Sequence, residues 1–244
     1  MCTSPRSGST LLCRLLAATG KSGVPDSHFH EPSVSAWMED FGLQDDQYPS
    51  EKEQLTAVFA AAHAYGTGSS DIFGLRLQRH SFDFLMQKLD CLHPGLSTDA
   101  ERLHTAFGHT LFIHLTRPNK LEQAISRLRA EQSGLWHRAA DGTELERLSA
   151  PQELSYDAVS IARHITDMTL ADENWKSWFD REGITPMRIT YDELSRDPSA
   201  ILSGILEELG QDSSIAKDIT PPTARLSDEI NRSWAERFRG ENKG

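Results

Sequence analysis

Apolar residues along the chain form two kinds of block, short continuous runs and longer stretches in which they recur every three or four positions. The continuous runs predict buried strands at residues 72–77 and 110–116, and a strand that turns into a helix within residues 186–198. The spaced stretches predict helices at residues 9–18, 33–41, 51–65, 81–92, 155–181 and 201–210. This order predicts an α/β fold in which a central, mainly parallel sheet is flanked by helices.

A turn of small polar residues near the start of the chain leads directly into the first predicted helix. Its sequence is Thr3-Ser4-Pro5-Arg6-Ser7-Gly8-Ser9-Thr10-Leu11-Leu12. The first N–H groups of a helix lack intrahelical partners and its dipole attracts negative charge, so the turn predicts an anion cradle for a phosphate or a related group. Gly8 allows a close approach of the chain, and Arg6 adds a permanent positive charge. Hydroxyl groups come from Ser7, Ser9 and Thr10, although an ordinary capped helix is the alternative interpretation.

This turn differs from the NTP-binding loop Gly-x-x-x-x-Gly-Lys-Ser/Thr. No glycine lies five residues before Gly8, and Ser9 stands where the lysine would be. Only Met1, Cys2 and Thr3 precede the turn, too few for a usual strand, so the first strand is expected to be abbreviated or its start trimmed.

Two further arginines lie within or directly after predicted strands. Arg117 directly follows the strand at residues 110–116, so it is expected at the carboxyl edge of the sheet, where α/β folds bind ligands. Ser126, nine residues later, could turn its hydroxyl toward the same anion. Arg76 lies within an apolar run and needs an anionic partner, which makes it either an acceptor-site residue or a paired structural arginine.

The connector at residues 23–32 contains two histidines and two carboxylates between two prolines. His28 and His30 suit proton transfer near neutral pH, and a solvated loop is the alternative. The segment at residues 132–151 lacks a clear period and contains Trp136 and His137, so it is expected to be an acceptor-site lid or a surface loop.

Composition narrows the functional classes. A chain of 244 residues fits one domain, 1–244, and a net charge of -11 argues against a nucleic-acid surface. Three cysteines without metal-site spacing favour a reducing, cytoplasmic setting, and no apolar run is long enough to span a membrane.

The turn at Pro5–Thr10 resembles the 5′-phosphosulfate loop of sulfotransferases, and Arg117 with Ser126 resembles their 3′-phosphate-binding pair. The match is strongest to the bacterial trehalose 2-sulfotransferase family, which shares the Ser-x-Arg-Ser-Gly-Ser-Thr-Leu-Leu opening, the Gly-x-Pro connector and the Arg-Pro-x-x-x-x-Gln-Ala-x-Ser segment. That family has a glutamate, proposed as general base, two residues after the connector proline, where this chain has Ser27. The base would then be a neighbour such as His28, His30 or Glu31, or the acceptor differs.

The resemblance implies a single-domain, P-loop-like sulfotransferase fold and direct in-line transfer from 3′-phosphoadenosine 5′-phosphosulfate, with no metal required. The acceptor would be a hydroxyl, on a sugar or glycolipid, or an amine, and related enzymes can form homodimers. The resemblance also makes Arg237 and Arg239 of the C-terminal segment candidates for the 3′-phosphate end of the nucleotide. The alternatives are a non-catalytic nucleotide-binding module and, less favoured, a kinase-like enzyme that uses ATP and Mg²⁺.

Overall fold

The computed structural model describes residues 1–138, 142–220 and 229–241, and a parallel sheet lies at its centre. The strands in these ranges are β1 (Cys2–Thr3), β2 (Leu77–Gln78), β3 (Ile113–Thr116), β4 (Leu135–Arg138), β5 (Glu144–Arg147) and β6 (Met187–Thr190). The central sheet has the order β2-β1-β3-β6 with every neighbouring pair parallel, and β4 and β5 form a separate antiparallel hairpin. The predicted α/β fold with a parallel sheet is confirmed.

Helices cover both faces of the sheet. They are α1 (Ser9–Ala18), α2 (Val34–Asp40), α3 (Glu51–Thr67), α4 (Arg79–Leu92), α5 (Asp99–Phe107), α6 (Lys120–Ser133), α7 (Ala158–Arg181), α8 (Tyr191–Arg196), α9 (Pro198–Glu208) and α10 (Glu229–Glu241). Helices α1, α8 and α9 share one apolar cluster with β3 and β6, and helices α2 to α5 and α7 share another with β1 and β2. Across the residues that the structure describes, none of the helices combines the length and the apolar character of a membrane span.

Side chains alternate between these two apolar layers along β3. Ile113 and Leu115 belong to the α1 and α9 side, whereas the ring of His114 lies 5.4 Å from that of Phe179 on the opposite side. Because successive side chains of a strand point to opposite faces, a histidine at this position enters the aromatic layer built by α7. The predicted core role of Trp175, Trp178 and Phe179 is confirmed, since all three are buried.

The short central strand β1 is held by contacts beyond its ladder. The hydroxyl of Thr3 donates to the carbonyl of Leu115 across the sheet at 3.0 Å. On the other side, Trp175 Nε1 donates to the carbonyl of Thr3 at 3.2 Å. The residues that lead into the polar turn are therefore fixed by the core on both sides.

Two sequence predictions need correction here. The strand expected at residues 72–77 is reduced to Leu77–Gln78, because Gly74 N bonds Gly66 O and Arg76 N bonds Asp26 O instead of a neighbouring strand. The segment at residues 132–151 is not irregular, since it contains the end of α6 and the β4–β5 hairpin. Residues 139–141 of that segment lie outside the described residues. The predicted helix at residues 9–18 is confirmed at both ends, and α5 was not predicted.

Lowering the pH from 7 to 5 is expected to destabilise the protein, in part through His114. Burial lowers the pKa of this histidine from 6.5 to about 4, so the unfolded chain binds a proton where the folded protein does not. The free energy of unfolding is therefore unaffected by this histidine well above pH 6.5 and decreases as the pH falls toward 4. The expected decrease between pH 6.5 and 5 is up to about 2 kcal/mol. Urea denaturation at several pH values should give a smaller loss in His114→Gln than in the wild type.

The control is His109→Gln, which removes an exposed histidine. It should keep the pH dependence of the wild type. An identical dependence in His114→Gln would contradict the role of the buried ring.

Candidate functional site

A cavity of about 910 Å³ opens at the edge of the sheet where its four strands end. The chain that follows each strand contributes a residue to the wall: Arg6 after β1, Arg79 after β2, Arg117 after β3 and Tyr191 after β6. After β1 the chain forms β2 on one side and β3 on the other, so the cavity lies at a topological switch point. Open α/β sheets bind their ligands at such a point.

The turn between β1 and α1 is held in a strained shape. Arg6 has φ of +62°, the left-handed region that non-glycine residues rarely adopt, and Gly8 has φ of +92°. Gln123, which is fully buried on α6, donates to the hydroxyl of Ser4 at 3.0 Å and to the carbonyl of Pro5 at 2.6 Å. Strain of this kind persists only where the surroundings fix it, and it is concentrated at ligand sites.

Arg6 projects from this turn into the cavity. Its Nε donates to the hydroxyl of Ser126 at 3.1 Å, and its Nη1 donates to the carbonyl of Trp136 at 2.5 Å. Burial, together with a smaller effect of repulsion from Arg117, lowers the pKa of Arg6 from 12.5 to about 10. The guanidinium groups of Arg6 and Arg117 thus repel each other, and a bound anion would reduce this repulsion.

Among the described residues, Arg6 makes no ion pair with a carboxylate. The other arginines on the wall each have one: Arg76 with Asp26, Arg79 with Asp83, Arg117 with Glu122 and Arg127 with Glu131. The positive charge that lacks a counterion is therefore on the turn that the sequence predicts as an anion cradle. In a chain with a net charge of -11, this makes the cavity a local basic site.

The hydroxyl groups of the turn do not all face the cavity. Ser7 is fully buried and its hydroxyl bonds that of Thr3, so the expected hydroxyl donor is turned into the core and only its backbone is left for an anion. Ser9 and Thr10 lie on the wall. The first backbone bond of α1 runs from Leu12 N to Gly8 O, so the amides before it have no intrahelical acceptor.

Arg117 is held on the wall from two directions. Its Nη2 donates to Glu122 at 3.0 Å, and its guanidinium lies 4.4 Å above the ring of Tyr191. Its buried Nε has no hydrogen-bond partner among the described residues. Ser126 also faces the cavity, so the structure brings the predicted pair of Arg117 and Ser126 together with Arg6.

Arg76 joins the connector to the turn. Its Nε donates to Ser27 Oγ at 2.7 Å, its Nη2 to Asp26 Oδ1 at 3.1 Å and its Nη1 to Thr10 Oγ1 at 3.0 Å. The anionic partner expected for this arginine is thus Asp26. Asp26 and Ser27 line the cavity.

Of the three base candidates on the connector, only His30 lies on the cavity wall. The ring of His28 is turned away and stacks on Phe73 at 5.9 Å, where burial lowers its pKa. Glu31 is exposed, and its carboxylate lies 3.8 Å from His30 Nε2 outside the wall. Neither His28 nor Glu31 is placed to take a proton from a group inside the cavity.

The β4–β5 hairpin forms another part of the cavity wall. His137 Nε2 lies 2.9 Å from Thr10 Oγ1 and 3.3 Å from Glu146 Oε2. Burial lowers the pKa of His137 to about 3, with a further contribution from Arg6, so its ring is neutral at pH 7. Leu148, which is 67% exposed, extends the wall toward solvent. The hairpin therefore directly contacts the turn between β1 and α1. That the hairpin closes over the acceptor site as a lid stays a prediction.

The C-terminal helix reaches the cavity through Asn231, near its start. Arg237 and Arg239 lie six and eight residues further along, about 9 and 12 Å along the helix axis, and neither lines the cavity. Arg237 donates to Glu241 at 2.8 Å and lies 4.0 Å above the ring of Tyr156. The expected contact of these arginines with a nucleotide has no support in this geometry.

Some site residues were not identified as such from the sequence. They are Asp26, Arg79, Gln123, Glu146 and Tyr191. Arg79 and Tyr191 could have been predicted from their positions, since each directly follows a parallel strand. Within residues 1–138, 142–220 and 229–241, no group of three or more histidine, cysteine, aspartate or glutamate side chains could hold a metal ion.

Comparison with known proteins gives a consistent result over almost the whole chain. A family model described as Stf0 sulphotransferase matches residues 1–241. A trehalose 2-sulfotransferase of Mycobacterium tuberculosis is 29% identical over 256 residues, covering 97% of this chain and 92% of the relative. A trehalose 2-sulfotransferase of Mycolicibacterium smegmatis is 28% identical over 253 residues, with the same coverage of 97% and 92%.

Gly8→Ala is expected to destabilise the protein more than Gly20→Ala. Both glycines have positive φ, so either alanine introduces backbone strain of about 1–2 kcal/mol. A Cβ at Gly20 would meet nothing within 4 Å, whereas one at Gly8 would lie 2.6 Å from the ring of Tyr191. Overpacking of this kind adds about 1–3 kcal/mol, which thermal unfolding of the two variants should detect.

Tyr191→Leu supplies the check on this explanation. In the Tyr191→Leu protein, Gly8→Ala should lower the melting temperature by an amount closer to that of Gly20→Ala. Equal melting temperatures for the two glycine variants in the otherwise wild-type chain would contradict a tight contact between the turn and Tyr191.

Proposed function

Because this chain belongs to the Stf0 sulphotransferase family, we propose that it transfers a sulfuryl group from 3′-phosphoadenosine 5′-phosphosulfate to a hydroxyl group of a small acceptor. The observation that carries the proposal is the buried charge of Arg6. It lacks a carboxylate partner among the described residues and lies in a strained turn before a helix N-terminus. This is where a strongly anionic group would gain most from binding.

The two charged ends of the donor would bind to residues that follow different strands of the sheet. The 5′-phosphosulfate would occupy the turn, with Arg6 and the amides of Ser7, Gly8, Ser9 and Thr10 around its oxygens. The 3′-phosphate would bind at Arg117 and Ser126. One observation supports the second assignment: the buried Nε of Arg117 has no hydrogen-bond partner among the described residues.

Transfer requires in-line alignment, stabilisation of the charge that develops on the leaving phosphate, and removal of the acceptor proton. Arg6 is suited to the second task because its guanidinium is fixed by Ser126 and Trp136 before any ligand binds. The sulfuryl group carries less negative charge than a phosphoryl group, so fixed cations and amides can meet the demand without a metal.

The acceptor would lie between the connector and the β4–β5 hairpin. Hydrogen-bonding groups face the cavity from both sides, Asp26, Ser27 and His30 from the connector and His137 and Glu146 from the hairpin. Trp136 adds an apolar surface of the kind that packs against a sugar ring. Both relatives are named trehalose 2-sulfotransferases, which favours a sugar hydroxyl over an amine.

A non-catalytic nucleotide-binding module is the second candidate. It is favoured by Ser27, because a serine at this position cannot remove the acceptor proton. Such a protein would bind the nucleotide and transfer nothing to any acceptor. A kinase-like enzyme is disfavoured by Ser9, which stands where the phosphate-binding lysine would be.

Thermal unfolding with nucleotides tests the donor site. A ligand that binds only the folded protein raises its stability by RT ln(1 + [L]/Kd), so about 100 Kd of ligand adds roughly 2.7 kcal/mol. We expect 3′-phosphoadenosine 5′-phosphate to raise the melting temperature, and ADP or Mg-ATP at the same concentration to raise it much less. A larger rise with Mg-ATP would favour the kinase-like alternative, and no rise with any nucleotide would contradict the proposal.

Arg6→Ala is expected to reduce the turnover of sulfuryl transfer by at least about a hundredfold, the loss typical of removing one preorganised donor. The measurement is the release of sulfated product at saturating donor. The control is Arg181→Ala, which removes an exposed arginine at the end of α7 that pairs with Asp99 and Glu182, and it should transfer at the wild-type rate. Transfer by Arg6→Ala at that same rate would remove Arg6 from the mechanism.

A further inference from the structure

The carboxylate of Asp26 is anchored through one oxygen, while the other has no partner in the described part of the chain. Asp26 Oδ1 accepts hydrogen bonds from Arg76 Nη2 at 3.1 Å and from Ser27 N at 2.7 Å. No described residue bonds Asp26 Oδ2. The side chain is 67% exposed and lines the cavity. A carboxylate held in this way keeps its orientation and still has an oxygen that can accept a proton.

The backbone also fixes this position relative to the anion turn. Asp26 pairs with Leu75 in an isolated parallel bridge, and its carbonyl accepts from Arg76 N at 2.9 Å. Pro25 packs so closely on Gly74 that a Cβ there would lie 2.6 Å from the proline ring. The guanidinium that holds Asp26 also donates to Thr10 on the turn, so the carboxylate lies one side chain away from the predicted donor site.

Other groups that could take a proton have less suitable surroundings. His137 Nε2 already lies within contact distance of both Thr10 Oγ1 and Glu146 Oε2, so it is engaged on the hairpin side. Glu146 is paired with His137 within the β4–β5 hairpin. His30 lies on the wall, but its nearest ring is that of His80, and no described hydrogen bond links it to the turn.

We propose that Asp26 is the general base of the reaction, an assignment that rests on the sulfotransferase function proposed above. Asp26 Oδ2 accepts the proton of the acceptor hydroxyl while the acceptor oxygen forms its bond to sulfur. The bond between sulfur and the bridging oxygen of the 5′-phosphate breaks, and its electron pair leaves with the phosphate. The products are the sulfate ester, 3′-phosphoadenosine 5′-phosphate and a protonated Asp26, which then releases its proton to water.

This assignment explains how the chain can dispense with a carboxylate at residue 27. Ser27 Oγ accepts from Arg76 Nε, the neighbour of the nitrogen that holds Asp26. A serine at residue 27 therefore helps to orient the arginine that orients the carboxylate. The base has moved by one residue along the connector, and Ser27 acts as a positioning residue.

The test compares Asp26→Asn, the double variant Asp26→Asn/Ser27→Glu, His30→Gln and the control Asp180→Asn, which changes an exposed aspartate on α7. Each is assayed with the neutral sugar that the wild-type protein sulfates fastest, and each is titrated with 3′-phosphoadenosine 5′-phosphate. Asp26→Asn should lose at least about a hundredfold in kcat, within the range typical of a general base, while its nucleotide Kd stays at the wild-type value. The double variant should regain part of the lost kcat, and Asp180→Asn should equal the wild type.

Three results would overturn the assignment. They are a wild-type kcat in Asp26→Asn, a loss of kcat in His30→Gln without one in Asp26→Asn, and a loss of nucleotide affinity in Asp26→Asn that matches its loss of kcat. The last result would mean that Asp26 only holds Arg76 in position and does not accept the proton. Failure of the proposed function is distinct, because the wild-type protein itself would then transfer no sulfuryl group to any acceptor, whether or not it binds the nucleotide.

Discussion

Repulsion between guanidinium groups at one edge of the sheet is the constraint on which the site depends. Burial lowers the pKa of the Arg6 guanidinium, and the charge of the nearby Arg117 contributes to the same shift, a cost that the fold sustains in a chain with a net charge of -11. The other wall arginines each form an ion pair with a carboxylate, whereas Arg6 has no carboxylate in ion-pair contact among the described residues. Among the arginines that line the cavity in the described part of the chain, Arg6 is thus the one without an ion-paired carboxylate.

The core is what holds these charges in place. Because β1 has only two residues, its ladder alone offers few hydrogen bonds, and the turn after it would be poorly fixed. Trp175 from α7, Leu115 from β3 and Gln123 from α6 supply the missing contacts, each from a different element. The left-handed backbone of Arg6 is therefore supported by long-range packing, which links the aromatic layer of the fold directly to the geometry of the site.

Sequence patterns predicted the elements that local interactions decide. The bounds of α1 follow from its apolar spacing and from the glycine at each end, and Arg117 could be assigned to the sheet edge because a continuous apolar run precedes it. The direction of connector side chains could not be read in this way. His28 and Asp26 are two residues apart, yet one stacks among phenylalanines and the other faces the cavity, because Gly74 and Pro25 fix the path of the backbone. Likewise, the β4–β5 hairpin escaped prediction because its short strands pair only with each other and carry mixed polar side chains.

Arg76 connects the two halves of the chemistry that the cavity can support. One terminal nitrogen of its guanidinium bonds Thr10 on the anion turn, and the other bonds Asp26 on the connector. A planar group cannot change its angle to one partner without changing its angle to the other, so the carboxylate is aligned only when the turn is correctly formed. In the proposed function, an anion that binds the turn and draws on Thr10 would therefore also affect the orientation of Asp26. The guanidinium of Arg76, shared between the turn and the connector, would then link donor binding to acceptor activation.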